Sequence, residues 1–145
     1  MRTLLTTATL LLTLALQSQT YLHGEMGWPS MMGFELEHFV KEDLSLHVNA
    51  GIMHVGLGIR QTLPTTANWY VDASTGLAGM VDVGGGSVTS LALGKRLYFG
   101  QFMVSGQLGG GWHDWQLVPL RGSGEPSTQE QWLNFTGQLK LAFKL

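Results

Sequence analysis

Apolar and polar residues alternate with a period of two along most of the chain after Thr20. The pattern is clearest over 133–145, where Leu, Phe and one Gly occupy the odd positions and more polar residues or Ala occupy the even ones. Alternation of this kind predicts β-strands that present one apolar face. Turn residues divide the chain into eight predicted strands, at 20–28, 31–40, 43–53, 55–62, 68–79, 87–99, 101–114 and 131–145.

The number of strands depends on a break near His54. Without that break, residues 43–62 would form one long strand and the count would be odd. With it, the two longest connections, 78–86 and 116–130, fall at the same end of the sheet. Short turns beside the termini and long loops opposite them are typical of outer-membrane barrels. The sequence therefore predicts an all-β fold, an eight-stranded antiparallel up-and-down transmembrane β-barrel preceded by a cleaved signal peptide.

The two faces of the predicted strands differ in chemistry. One face holds Leu, Val, Ile, Phe, Ala and Gly, and the other holds polar and charged residues. A membrane barrel turns the apolar face outward and a soluble barrel turns it inward, and the period alone does not choose between them. In the membrane case a salt-bridge network is expected in the lumen, comprising Glu25, Glu35, Glu37, Arg60, Asp72, Arg96 and Lys140. Because eight strands enclose only enough room for side chains, this network is interpreted as a stabilising plug, with a gate for small ions as the alternative.

Composition narrows the choice between these orientations. Charged residues make up 12% of the 145 residues, about half of the roughly 25% found in soluble domains. That is a small number of charges for a barrel with a wet outer face. The formal net charge of −2 argues against a basic nucleic-acid binder, and the absence of Cys excludes disulfides and Cys-ligated zinc.

The first twenty residues have the pattern of an export signal. Met1 and Arg2 are followed by an apolar, uncharged run from Leu4 to Leu16 and then by polar residues. This run is shorter than the roughly 20 residues that a spanning helix needs. The chain is therefore predicted to consist of a signal peptide at 1–20 and a barrel domain at 21–145, in the outer membrane of a Gram-negative-type cell.

Aromatic residues cluster near the predicted strand ends, where amphipathic rings would meet a membrane–water interface. Trp28 and Trp112 lie near the end with long loops, and Trp69, Phe99 and Phe143 lie near the end with short turns. These five residues are the predicted interface aromatics.

Several segments resemble the small eight-stranded outer-membrane barrels, the group that contains the OmpA transmembrane domain and OmpX-like proteins. They are Gly-Phe-Glu-Leu-Glu at 33–37, Leu-Ser-Leu-His-Val-Asn-Ala-Gly at 44–51, Trp-Tyr-Val-Asp-Ala at 69–73, and the alternating last strand. The resemblance covers the whole chain after the signal. It implies a structural or surface-interaction role, contact with outer-membrane lipid and lipopolysaccharide, and insertion by the barrel-assembly machinery. That machinery usually reads a terminal aromatic residue in this group, whereas here Leu145 is last and Phe143 precedes it by two.

Outer-membrane lipid A deacylases offer a second resemblance, because they are barrels of similar length with a His-x-Ser pair on a strand. The segment around His47 is similar but lacks the following serine, and Ser45 lies two residues before His47 on the same face. A nucleophilic hydroxyl needs such a neighbouring base. No catalytic site is predicted, and a lipid A hydrolase using Ser45 and His47 stays an alternative. A further alternative is a secreted soluble barrel that binds a small apolar ligand inside.

The remaining motifs indicate little chemistry. The five histidines are scattered without metal-ligand spacing, and the glycine triplets at 84–86 and 109–111 form neither a dinucleotide fingerprint nor a P-loop. The first triplet is predicted to be a flexible loop and the second a strand bend or a close backbone contact. No cofactor and no metal site are predicted. The loop from Gln116 to Glu130 is a candidate contact surface for an external partner.

Overall fold

The chain forms a closed barrel of eight antiparallel strands in a computed structural model that describes residues 19–64, 67–80, 84–117 and 127–145. Neighbours in sequence are neighbours in the sheet, and β1 pairs with β8 to close it. The predicted closed, antiparallel, up-and-down barrel is thus confirmed. The strands are β1 (Thr20–Trp28), β2 (Met31–Phe39), β3 (Leu44–Gly51), β4 (His54–Thr62), β5 (Trp69–Met80), β6 (Gly84–Phe99), β7 (Phe102–Leu117) and β8 (Thr128–Lys144).

The break near His54 is real, since β3 ends at Gly51 and β4 begins at His54. The largest differences from the predicted bounds occur at the end with long connections. Gly84 to Gly86, predicted to be a loop, begin β6 and pair with 115–117. Strands β7 and β8 extend to Leu117 and from Thr128, so both ends of the predicted loop 116–130 belong to the sheet. Residues 118–126 lie outside the described part of the chain, as do residues 1–18 of the predicted signal peptide.

Burial alternates along the strands, with apolar side chains outside and polar side chains inside. Phe135 is 88% exposed and Leu108 74% exposed, whereas Arg60 and Glu35 are each 1% exposed. The Leu and Phe residues of β8 face outward. The soluble alternative needed this face to point inward around an apolar ligand, so the observed orientation argues against it.

Two small apolar clusters lie inside the barrel, one toward each end. Tyr21, Met103 and Ala142 form the cluster at the end with short turns, and Phe39 packs against them. Ala78, Val88 and Trp115 form the opposite cluster, with Leu117 and Trp132 beside them. Between the clusters the interior is polar. No helix in the described residues is long and apolar enough to cross a membrane.

Candidate functional site

The barrel interior holds one connected cluster of charged side chains contributed by six strands. Alternation sends every second residue inward, and the strand register then sets opposite charges side by side. Arg60 of β4 lies opposite Asp72 of β5, and Glu25 of β1 lies opposite Lys140 of β8. All seven charged residues that the sequence analysis assigns to the lumen are buried here and make ion pairs with one another: Glu25, Glu35, Glu37, Arg60, Asp72, Arg96 and Lys140.

Glu35 is the centre of the cluster. Both terminal nitrogens of Arg60 donate to its carboxylate, with Nη1–Oε1 at 2.5 Å and Nη2–Oε2 at 2.6 Å. The ammonium of Lys140 donates to Oε2 at 2.5 Å. A bidentate guanidinium contact is the strongest and most directional kind of ion pair in proteins. Glu35 is therefore neutralised by two cations that come from different strands.

Arg60 joins three carboxylates at once. Besides the fork on Glu35, its Nε donates to Asp72 Oδ2 at 2.5 Å and its Nη1 lies 3.3 Å from Glu37 Oε2. A planar guanidinium with five fixed donors suits such bridging, which a lysine ammonium could not reproduce. Arg60 thus connects β2 with β5 through the middle of the barrel.

Glu37 forms the second centre, toward the end with short turns. Its carboxylate accepts hydrogen bonds from the guanidinium of Arg96 and from the Ser45 hydroxyl, the latter at 2.5 Å. Arg96 also lies over two aromatic rings, 4.5 Å from the centroid of Tyr70 and 5.0 Å from that of Phe39. Ring faces attract a desolvated guanidinium. Arg96 is therefore held by one carboxylate and two rings.

An uncharged hydrogen-bond chain extends from this region toward the other end. The Tyr70 hydroxyl donates to Gln107 Oε1 at 3.1 Å, and the Gln107 amide donates to Gln138 Oε1 at 2.9 Å. Gln138 in turn donates to the hydroxyl of Ser30 at 3.2 Å. These contacts satisfy buried amide groups that would otherwise be costly.

Two histidines belong to the cluster, although the sequence predicts only scattered polar positions for them. His23 Nε2 lies 3.0 Å from Glu37 Oε2. His47 Nδ1 lies 3.2 Å from Glu35 Oε2, and its Nε2 lies 3.0 Å from Asp72 Oδ2. The sequence contains a signal for this placement, since His23 is two residues from Glu25, and His47 alternates with the apolar residues Leu46 and Val48.

The placement of His47 bears on the charge balance of the interior. A histidine ring donates from both nitrogens only when it is protonated, and both nitrogens of His47 face carboxylates. Among the described residues, the interior holds four acidic side chains and three arginine or lysine side chains. A protonated His47 ring would therefore supply a fourth positive charge.

His23, Glu35 and Glu37 place one ligand atom each within 4.8 Å of one another, which is close enough to hold a metal ion. However, Glu35 already contacts Arg60 and Lys140, and Glu37 already contacts Arg96. A divalent cation would have to enter against these charges. The geometry of the described residues therefore favours an ion-pair network over metal binding.

Ser45 and His47 do not form a nucleophile–base pair. Ser45 donates to Glu37, whereas the two His47 nitrogens face Glu35 and Asp72. Nucleophilic catalysis needs a base within reach of the hydroxyl and access for substrate. Both side chains are instead buried among charged groups inside the barrel.

The predicted interface aromatics separate into two groups. Trp69, Phe99, Trp112 and Phe143 are exposed on the outer face. Trp28 is placed differently, because its ring stacks on the buried ring of His113 with centroids 5.7 Å apart. Trp132 stacks on His113 as well, at 5.5 Å and nearly parallel. These three rings stack together at the end with long connections.

Comparison of the chain with protein-family models, curated proteins and solved structures gives no match. Two features of the described residues are chemically informative: an interior of paired charges and an apolar outer surface.

Proposed function

We propose that this chain is an outer-membrane β-barrel protein with a structural or surface-interaction role, exported by its signal peptide. The observation that carries the proposal is the inversion of polarity, with charges inside the barrel and large apolar side chains outside. A water-soluble barrel of this size would bury its apolar face. A barrel surrounded by hydrocarbon presents that face outward and pairs its backbone groups by closing on itself.

The outer surface supports this proposal in detail. Leu57, Leu77, Leu91 and Phe135 are each at least 60% exposed, and they belong to four different strands. Monomeric soluble proteins rarely expose continuous apolar surfaces of this kind. Lipid acyl chains and lipopolysaccharide would cover the surface in an outer membrane, and the barrel-assembly machinery would act during insertion.

The interior supports a plug more than a gate for small ions. Arg60 spans the lumen between β2 and β5, and its guanidinium contacts Glu35, Glu37 and Asp72. Aromatic or apolar clusters lie on both sides of this layer. An ion would have to displace several buried ion pairs to pass, and breaking each one is costly.

The lipid A hydrolase stays a weaker candidate. Its hydroxyl and imidazole, Ser45 and His47, face the interior and have separate carboxylate partners. A lipid substrate would approach from the outer face. Unchanged acyl chains in lipid A from cells with and without the protein would exclude it.

The proposal is tested by fractionating cells that make the full chain and running the membrane fraction on SDS gels with and without boiling. We expect the protein in the outer-membrane fraction, with a mobility that changes only after heating. A soluble periplasmic protein with no such shift would refute the proposal.

A pair of variants makes this test specific to the outer surface. Leu57→Arg places a charge on the middle of β4, and Gln61→Arg places the same charge near the end of the strand, where Gln61 is already exposed. For a membrane barrel, we expect the first change to destabilise the inserted form by about 2–4 kcal/mol and the second by about 0–1 kcal/mol. Equal effects of the two changes would argue against insertion.

A further inference from the structure

Lys95 interrupts the apolar outer face of β6. Leu91, Leu93 and Leu97 face outward on this strand, and the exposed Lys95 occupies the outward position between the last two. Its ammonium lies 5.5 Å from the centroid of the Trp69 ring, and no carboxylate of the described residues forms a salt bridge with it. A lysine on a surface that faces hydrocarbon is costly unless its charge reaches an anion or water.

A groove of about 800 Å³ begins beside Lys95 on the outer face. Its lining includes Gly106 and Gly137. A Cβ added at Gly106 would meet nothing closer than a backbone oxygen at 4.0 Å, whereas one added at Gly137 would lie 3.0 Å from Leu108 Cδ2. Apolar side chains form the walls, namely Met26, Leu93, Leu108 and Leu139. The groove is therefore mainly apolar, and its lining includes one cation and one indole ring.

The position of Lys95 along β6 fits a headgroup contact. It lies four residues before Phe99, the last residue of the strand. With about 3.3 Å per residue and a strand tilt near 40°, this distance is about 10 Å along the barrel axis. A flexible lysine stem covers part of that distance and brings its ammonium toward the polar layer.

We propose that this groove binds an anionic phospholipid, with the phosphate at the Lys95 ammonium beside Trp69 and an acyl chain over Gly106. Charge complementarity selects the headgroup, because no carboxylate of the described residues forms an ion pair with this cation. The absence of a side chain at Gly106 leaves room for the acyl chain. The inference rests on the proposed membrane insertion and adds a specific lipid class to it.

The test uses the full chain, folded in detergent and titrated with phosphatidylglycerol or with phosphatidylcholine carrying the same acyl chains. Native mass spectrometry measures the fraction of protein with one bound lipid. One lysine near an anionic headgroup corresponds to about a fivefold preference for phosphatidylglycerol. We expect this preference in the unmodified protein, its loss in Lys95→Gln and its retention in Lys95→Arg.

Two glycine variants test the groove. Gly106→Leu fills the groove, and we expect it to reduce phosphatidylglycerol binding at least twofold. Gly24→Leu is the matched control, because Gly24 also faces outward with nothing closer than 4.0 Å to an added Cβ and does not line this groove. Equal losses in the two variants would overturn the proposed site.

Three outcomes would overturn the inference in separate ways. Equal binding of the two lipids by the unmodified protein would remove the headgroup selectivity. A preference that persists in Lys95→Gln would place the site elsewhere. A preference that is unchanged by high salt in the unmodified protein would show that charge does not cause it, since salt screens exposed charges.

The heat-dependent gel shift, measured first on every variant, separates this inference from the proposed function. A protein that does not insert into membranes contradicts both. A protein that inserts and shows the gel shift but binds both lipids equally contradicts only the lipid site.

Discussion

Glu35 shows how a single buried carboxylate depends on residues from several strands. Arg60 of β4 holds it by two hydrogen bonds, Lys140 of β8 by one, and His47 of β3 lies beside it. Removing one partner leaves a buried charge with incomplete compensation, which costs more than an intact pair contributes. Stability at this scale therefore depends on the completeness of the network.

Lys140 and Lys41 provide a matched test of this dependence. We expect Lys140→Met to lower the free energy of unfolding by about 3–5 kcal/mol, because Glu25 and Glu35 lose a buried cation. Lys41 is exposed in the turn between β2 and β3, so Lys41→Met should change the free energy of unfolding by about 0.5 kcal/mol or less. Urea unfolding of the reconstituted protein measures both values. Similar values for the two variants would contradict the network.

The period of two in the sequence was enough to assign Glu25 and Lys140 to one face, because their strands alternate regularly. It did not identify the partners, since those depend on strand register. Alternation also does not predict the ring orientation of Trp28. It ends β1, and its ring turns toward His113, where the strict alternation no longer holds.

Strand β7 shows how glycines adjust the approach of neighbouring strands. Gly109 faces the backbone of β6 so closely that an added Cβ would lie 2.5 Å from the Cα of Ala92. At Gly110, the next residue, an added Cβ would meet only Leu133 Cδ1, at 4.0 Å. A side chain at Gly110 therefore has room, whereas the missing side chain at Gly109 permits close contact between β6 and β7.

Alanine substitutions distinguish these two glycines. We expect Gly109→Ala to destabilise the barrel by about 1–3 kcal/mol, because the backbone of β6 must move. Gly110→Ala should leave the free energy of unfolding within about 0.5 kcal/mol of its original value. The temperature at which each variant loses its heat-dependent gel mobility reports the difference. A larger loss for Gly110→Ala would contradict the described register.

The elements themselves were largely predictable, since the break near His54 and all eight strands follow from turn residues and alternation. The exceptions lie at the end with long connections. Glycines such as Gly86 have no side chain to reveal a strand period, yet Gly86 pairs with Trp115 in the sheet. Sequence patterns lose their signal where side chains are absent.

At the scale of the whole molecule, the interior is filled rather than open. We expect the reconstituted protein to show no stable ion conductance in planar lipid bilayers, because Arg60 and its carboxylate partners occupy the lumen. A water-filled porin in the same bilayer serves as the positive control. Discrete conductance steps that change in Arg60→Ala would instead support the gate for small ions.

The orientation of the two faces could not be decided from alternation alone. Period-two patterns are identical for a barrel and for its inside-out counterpart, and the low charge content and the aromatic residues near the strand ends favoured one of them. The structure resolves this point because Leu133 and Phe135 face outward while Lys140 faces inward. Membrane insertion and export remain predictions.

The seam between β1 and β8 links charge compensation to the order of folding. Lys140 belongs to β8, and its ammonium serves Glu25 of β1 and Glu35 of β2. Until β8 docks, these two carboxylates lack one of their cations, and the long sequence separation makes that docking a late step. Closure of the cylinder and neutralisation of its interior thus occur together. A half-assembled sheet gains little free energy of folding. The barrel should therefore form in a single cooperative transition.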